Sequence, residues 1–126
     1  MNEIAKVLVA TALMLPLTTH AKKIEPCSNV PTYVRNAMRT MTDCITMAAA
    51  QGCGAADLNV IEFGNDEHRL PKARHGQRYW EGRARREGAP PGAFRLVYLV
   101  TEAERKSIVD AKYYTPDHYD SFCQIR

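Results

Sequence analysis

The segment FRLVYLV, residues 94–100, decides the fold of this chain. It is strongly apolar, and its branched and aromatic side chains are typical of a β-strand. Arg95 is the lone charge of the segment and stands at its start. A charge in such a run lies either at an edge or opposite an anionic group, so this arginine is also a candidate functional residue.

One helix and four further strands are predicted around this segment. Asn29 can cap the helix and Pro31 fits its first turn. Apolar residues then recur at three- and four-residue steps, which gives one packing face: Val34, Ala37, Met38, Met41, Ile45 and Ala48. Strand signals follow at residues 59–63, 78–84, 107–114 and 119–125. We therefore predict an α+β fold, an N-terminal helix packed on a twisted antiparallel β-sheet.

The length of 126 residues favours one domain behind a targeting segment. Residues 1–21 have the pattern of a secretory signal peptide: Lys6, an apolar run over 7–17, and Thr19-His20-Ala21 as a cleavage site. A short core helix is the alternative. The run is shorter than the roughly 20 residues that cross a bilayer. We expect a secreted or periplasmic domain of residues 22–126 that does not associate with membranes.

All four cysteines lie in this mature part, and an even number behind a signal peptide indicates disulfides. A zinc site is the rival interpretation, but the spacings contain no CxxC or HxxxH pair, and we expect no bound metal. Four cysteines allow three connectivities, among which the spacings do not choose. The net charge of +3 suits a phosphate-bearing partner and equally an ordinary soluble domain.

Three residues have the chemistry that metal-free cleavage of RNA requires. The reaction needs a base for the 2′ proton, an acid for the departing 5′ oxygen and a cation for the phosphate. Glu81 alternates with Tyr79 on one face of a predicted strand, Arg95 begins the next, and His118 begins the last. Neighbouring strands lie about 4.8 Å apart, so the three side chains can converge. None is diagnostic alone, and the hypothesis rests on their joint placement.

The chain resembles the bacterial guanyl-specific ribonucleases, the group that contains barnase and the secreted streptomycete enzymes. Three segments carry the resemblance: FGNDEHRLP at 63–71, GQRYWE at 76–81, and DHY at 117–119 followed by Phe122 and Ile125-Arg126. The resemblance covers roughly residues 60–126; residues 22–59 share only a helix. It implies that Glu81 is the general base, His118 the general acid and Arg95 the phosphate clamp.

The resemblance also implies how guanine is recognised. Glu67 would accept hydrogen bonds from guanine N1–H and N2–H₂, and backbone N–H groups around Asn65 would donate to O6. Tyr119 would pack its ring against the bound base, as is common in recognition of single-stranded RNA. The implied activity is endonucleolytic cleavage of single-stranded RNA after guanine, through a 2′,3′-cyclic phosphate, by a monomer that needs no cofactor.

The chain departs from barnase in its charges and cysteines. Asp66 stands where barnase has an arginine, and Pro91 stands where barnase has a second active-site arginine. The residues that could substitute for this second arginine are Arg83, Arg85 and Arg86. These losses bear on phosphate binding and on inhibition by a barstar-like protein, a candidate partner. Streptomycete relatives join their chain ends by a disulfide, which implies Cys27–Cys123 and leaves Cys44–Cys53. The second pairing requires the helix, otherwise ended by Gly52 or Gly54, to end near residues 47–50.

Two further functions remain compatible with the sequence. One is an antibacterial ribonuclease toxin with a dedicated immunity protein, which an adjacent gene for a small acidic protein would distinguish. The other is a non-catalytic RNA- or protein-binding module on the same scaffold. The presence of Glu81, Arg95 and His118 together favours an enzyme over this module.

Overall fold

The structure is a computed structural model that describes residues 23–47, 53, 58–84, 92–104 and 106–126. The predicted signal peptide at residues 1–21 lies outside the described residues. So do Ala48 at the end of the predicted helix stripe, and Arg85, Arg86 and Pro91.

The described residues fold as one helix against one five-stranded antiparallel sheet, which confirms the predicted α+β class. The elements are α1 (Thr32–Met47), β1 (Ile61–Phe63), β2 (Gln77–Arg83), β3 (Arg95–Thr101), β4 (Ile108–Thr115) and β5 (Cys123–Ile125). The strands lie in the sheet in chain order, so each one pairs with its neighbour in sequence. No helix of the described residues is long and apolar enough to cross a membrane.

Alternating side chains of β3 divide the core into two clusters. Leu96, Tyr98 and Val100 pack under α1 on one face of the sheet, which we call the helix face. Val97 and Leu99 pack on the opposite face, covered by loop residues and called the loop face. The predicted central strand is therefore buried on both sides, which explains its continuous run of apolar residues.

Gly82 allows the helix to approach the sheet closely. A Cβ atom at this position would lie 2.9 Å from Sδ of Met41, a side chain that α1 buries completely. Any larger residue at position 82 would therefore require the Met41 side chain to shift. The methionine-rich stripe of α1 is therefore core packing, as predicted.

Two disulfides close the structure. Cys27 pairs with Cys123 across 96 residues of sequence, with Cα atoms 4.8 Å apart. Cys44 pairs with Cys53, with Cα atoms 5.7 Å apart. Both distances lie in the usual range for bridged cysteines. The helix is described as far as Met47, and the remainder of the predicted range for its end, residues 48–50, lies outside the described residues.

The prediction that His118 begins the last strand is wrong. β5 begins only at Cys123, and His118 and Tyr119 occupy a turn with φ angles of 56° and 77°. Residues in this left-handed region cannot continue a β-strand. Asp117 causes the turn, because its carboxylate accepts hydrogen bonds from the backbone and hydroxyl groups of Ser121.

Candidate active site

Asp117 organises the turn that carries His118 and Tyr119. Its Oδ1 accepts from the Ser121 amide at 2.8 Å and the Thr115 hydroxyl at 3.0 Å, and its Oδ2 accepts from the Ser121 hydroxyl at 2.6 Å. These bonds, led by the Ser121 hydroxyl, lower the pKa of Asp117. The Tyr119 amide donates to the Thr115 hydroxyl, so the turn is tied to the end of β4.

Tyr119 contacts the carboxylate that the sequence singled out as a base. Its hydroxyl lies 2.9 Å from Oε1 and 2.8 Å from Oε2 of Glu81, and it donates to this carboxylate. Burial, then the contact with Glu81, raises the pKa of Tyr119 to about 12, while the charge of Arg95 acts in the opposite direction. One hydroxyl group therefore lies within the influence of both the candidate base and the candidate clamp.

The strand register brings Arg95 and Glu81 to the same face. Glu81 is opposite Val97, and Arg95 precedes Val97 by two residues, so both project from the loop face. They are diagonal neighbours on adjacent strands, a separation that long side chains span. Both side chains can therefore reach the same region of the loop face.

Arg95 is buried rather than solvated. Only 8 % of it is exposed, and its Nη1 donates to the carbonyl groups of Gly92 and Phe94 at 2.6 and 2.8 Å. Within the described part of the chain it forms no salt bridge. A buried cation without a carboxylate partner carries a desolvation penalty that an anionic ligand relieves.

His118 lies at the rim of this group. Its ring centroid is 4.7 Å from that of Tyr119, and its side chain is exposed. Its backbone amide donates to the carbonyl of Ala93 at 3.0 Å. This bond fixes the turn next to the start of β3, where Arg95 lies. The imidazole is therefore close to Tyr119 and open to a ligand.

The segment after β1 forms a closed loop. The Asn65 side chain donates to the Leu70 carbonyl at 2.9 Å and accepts from the Leu70 amide at 3.1 Å. Its backbone has a φ angle of 53°, a conformation that asparagine tolerates better than most residues. Tyr79 anchors the loop by donating to the Pro71 carbonyl at 2.5 Å. The side-chain amide of Asn65 thus holds the loop together, so the donors that remain for a ligand are backbone N–H groups.

Glu67 and Arg69 connect this loop to the Asp117 turn. Arg69 donates through Nε to Oε2 of Glu67 at 2.8 Å and through Nη1 to the Asp120 carbonyl at 2.6 Å. The Glu67 side chain remains 72 % exposed. Sequence reasoning missed Arg69, although a cation two residues after the candidate carboxylate was a readable signal.

A cavity of about 260 Å³ brings most of these residues together. Asn65, Glu67, Glu81 and Tyr119 line it, and Arg95 and His118 adjoin it through Tyr119. Phe63 forms its aromatic wall, and Tyr119 stacks on that wall with centroids 5.4 Å apart and planes 24° apart. Of the substitutes for the missing arginine, Arg83 lies opposite Arg95 on β2.

A family model described as ribonuclease matches residues 20–126. The chain belongs to the ribonuclease family. RNA is therefore its substrate, and cleavage of RNA its class of activity. No curated protein matches the chain. Among the described residues, no three histidine, cysteine, aspartate or glutamate side chains are grouped as metal ligands.

Proposed function

We propose that this ribonuclease cleaves single-stranded RNA after guanine, without a metal ion, through a 2′,3′-cyclic phosphate. The observation that carries the proposal is the hydroxyl of Tyr119 on both oxygens of Glu81, beside the buried charge of Arg95. A carboxylate, a cation without a carboxylate partner and an adjacent imidazole are the groups that this reaction uses.

Each group has one role in the reaction. Glu81 accepts the proton of the 2′-hydroxyl, and the 2′ oxygen forms a bond to phosphorus. Arg95 stabilises the additional negative charge of the pentacoordinate phosphate. His118 donates a proton to the 5′ oxygen as the bond from phosphorus to that oxygen breaks. The products are a 2′,3′-cyclic phosphate and a free 5′-hydroxyl.

Tyr119 controls access to the Glu81 carboxylate, the candidate general base, and to the ring of Phe63. Its ring is 5.4 Å from that of Phe63, and carbon atoms in contact are roughly 3.5–4.0 Å apart, so no base fits between the two rings as they stand. A nucleobase that stacks on Phe63 must displace the ring of Tyr119. That displacement also withdraws the Tyr119 hydroxyl from Glu81, so binding of the nucleobase releases the Glu81 carboxylate for catalysis.

The loop after β1 supports recognition of guanine. Its Glu67 carboxylate shares Oε2 with Arg69 and leaves Oε1 for the N1–H and N2–H₂ donors of guanine. Guanine alone presents an acceptor beside two donors on this edge, which the loop amides and Glu67 complement. Base recognition of this kind combines edge hydrogen bonds with aromatic stacking.

A dinucleotide assay tests the proposal. The oxidised protein is incubated with guanylyl-(3′→5′)-cytidine and excess chelator, and 2′,3′-cyclic guanylate is measured. We expect cyclic guanylate at the same rate with and without chelator, and formation slower by about 10²- to 10⁴-fold from Glu81→Gln. Loss of activity with chelator, restored by added divalent metal, would contradict the metal-free mechanism.

Export and regulation belong to the same proposal. The two disulfides fit a protein that leaves the cytoplasm, and we propose cleavage after Ala21. Mass spectrometry of the exported protein would then find Lys22 at its N-terminus. We also propose that the enzyme is a monomer whose activity a barstar-like inhibitor blocks by covering the cavity.

A further inference from the structure

A second cavity lies on the helix face, between α1 and the strands β4 and β5. Its volume of about 540 Å³ is within the roughly 300–1,000 Å³ of typical ligand sites. Four cationic side chains line it: Arg35, Arg39, Lys112 and Arg126. We call this surface the basic groove. The candidate catalytic cavity shares none of its lining residues.

The charge of the basic groove is unbalanced. Among the described residues that line the groove, Asp43 is the one with a carboxylate side chain, so the four cations exceed it by three positive charges. A terminal carboxylate at Arg126 would reduce the excess to two. Among the described residues, none of the four cations forms a salt bridge. The described lining of the groove therefore carries uncompensated positive charge.

The fold holds these cations close together. Arg35 and Arg39 are four residues apart on α1, so they project from the same side of the helix, where like charges repel each other. Lys112 approaches them from β4, with its ammonium group 5.8 Å from the ring centroid of Tyr98. Tyr98 belongs to the core under α1, which places Lys112 on the helix face. An anion in the groove would relieve the repulsion.

The lining favours a phosphate chain over a protein partner. Protein interfaces are anchored by exposed aromatic or large apolar side chains, and they are depleted in lysine. The large apolar side chains that are exposed in the described structure are Met47, Ile61 and Ile108, and none of them lines the groove. The groove instead offers cations and the hydroxyl of Ser28. Its described lining contains no aromatic ring for stacking, so it would bind phosphates without reading bases.

We propose that the basic groove is a second RNA-binding site, which holds the phosphates of the RNA backbone independently of sequence. This proposal rests on the chain's membership of the ribonuclease family and on the charges of the groove, and it does not require the proposed guanine specificity. Long RNA would contact both sites, whereas a dinucleotide would occupy only the catalytic cavity. The groove then lowers KM for long RNA and leaves kcat unchanged.

Binding of an uncleavable probe tests this proposal. The probe is a short, guanine-free, 2′-O-methylated oligonucleotide, which lacks the reactive hydroxyl. The variant is R35Q/R39Q, and the matched control is K72Q/R74Q, which removes two exposed cations from the loop before β2. The wild type and both variants are compared over a series of salt concentrations.

We expect R35Q/R39Q to weaken probe binding by about two- to thirtyfold at low salt, the range for two exposed ion pairs. The slope of log K against log salt should fall by about 0.7 for each phosphate that the variant no longer neutralises. K72Q/R74Q should match the wild type in both quantities. Cleavage of the dinucleotide should be the same in all three proteins, while KM for long RNA rises only in R35Q/R39Q.

Three outcomes would overturn the proposal. The first is equal probe affinity and salt slope in the two double variants. The second is amide shift changes, in NMR spectra with the probe, that are confined to residues 63–71 and 117–122. The third is a groove that binds polyglutamate but not the oligonucleotide, which would indicate an acidic protein partner. A protein that binds the probe in the groove but cleaves no dinucleotide would contradict only the proposed function.

Discussion

The helix face and the loop face are built on the same strands, yet they differ in what covers them. α1 covers the helix face with a regular apolar stripe, including Val34, Met41 and Ile45, all fully buried. On the opposite face the rings of Phe63 and Phe122 pack together. Both faces contain a cavity, but the one beside α1 is lined by cations, whereas the one on the loop face contains the Glu81 carboxylate. We therefore expect stability to depend mainly on the helix face and activity on the loop face.

The largest expected effect comes from removing the acid or the base. Glu81→Gln keeps an acceptor for the Tyr119 hydroxyl, and His118→Asn keeps a residue that tolerates the left-handed backbone. Each should lower kcat/KM by about 10²- to 10⁴-fold, the usual contribution of a catalytic acid or base. Their free energies of unfolding in urea should remain near that of the wild type. Full activity in His118→Asn would remove His118 from the mechanism.

A large loss of stability is expected from the helix face. Met41→Ala removes a fully buried side chain that packs against Gly82 and should lower the free energy of unfolding by about 2–5 kcal/mol. Met47→Ala is the matched control, because its side chain is 83 % exposed, and it should be nearly neutral. Urea unfolding measures both. If Met41→Ala instead reduced kcat while the protein remained folded, the division between the faces would fail.

A smaller and selective effect is expected at the recognition loop. Glu67→Ala removes the acceptor for guanine N1–H and N2–H₂, and a hydrogen bond to a charged group contributes about 1.5–3 kcal/mol. The kcat/KM for guanylyl dinucleotides should therefore fall about ten- to a hundredfold, or slightly more. Cleavage after adenine, which does not use this acceptor, serves as the control and should fall far less. Equal losses on both substrates would assign Glu67 to the structure of the loop alone.

The smallest effect is expected from Tyr119→Phe, which removes one hydroxyl. Loss of this donor removes a hydrogen bond to the Glu81 carboxylate, while the ring and its contact with Phe63 remain. The raised pKa of Tyr119, about 12, means that its neutral phenol stabilises the fold below about pH 10. This stability is lost as the pH rises through about 12, so the free energy of unfolding of the variant should fall less over this range than that of the wild type. An equal pH dependence of the two proteins above about pH 10, measured by urea unfolding, would show that the Tyr119 phenol does not contribute it.

The sequence predicted most of what depends on local pattern. The helix was predictable from the spacing of apolar residues along α1, and the central strand from the apolar run of residues 94–100. Together they were sufficient for the fold class, because periodicity follows directly from backbone geometry. The placement of Arg95 two residues from the position opposite Glu81 required only that adjacent strands pair.

Other features depend on contacts between distant residues, and these were not readable. The Asp117 turn depends on Ser121 and on the hydrogen bond that the His118 backbone amide donates to the distant Ala93 carbonyl, so the predicted strand from residue 119 is replaced by a shorter one. The hydroxyl of Tyr119 reaches Glu81 only because that turn adopts positive φ angles. The basic groove likewise combines residues of α1 with Lys112, which the linear order separates.

The order of the strands has a consequence for how the chain reaches this structure. Because every strand pairs with its neighbour in sequence, the sheet can grow by successive hairpins, which close short loops and favour fast folding. The contact between Pro26 and Gln124, with the adjacent Cys27–Cys123 bond, joins the two ends of the chain. Cys123 also pairs with Tyr114 of β4, and Gln124 exchanges backbone hydrogen bonds with Glu25 and Cys27. The disulfide therefore fastens the last strand of the sheet to the segment before α1.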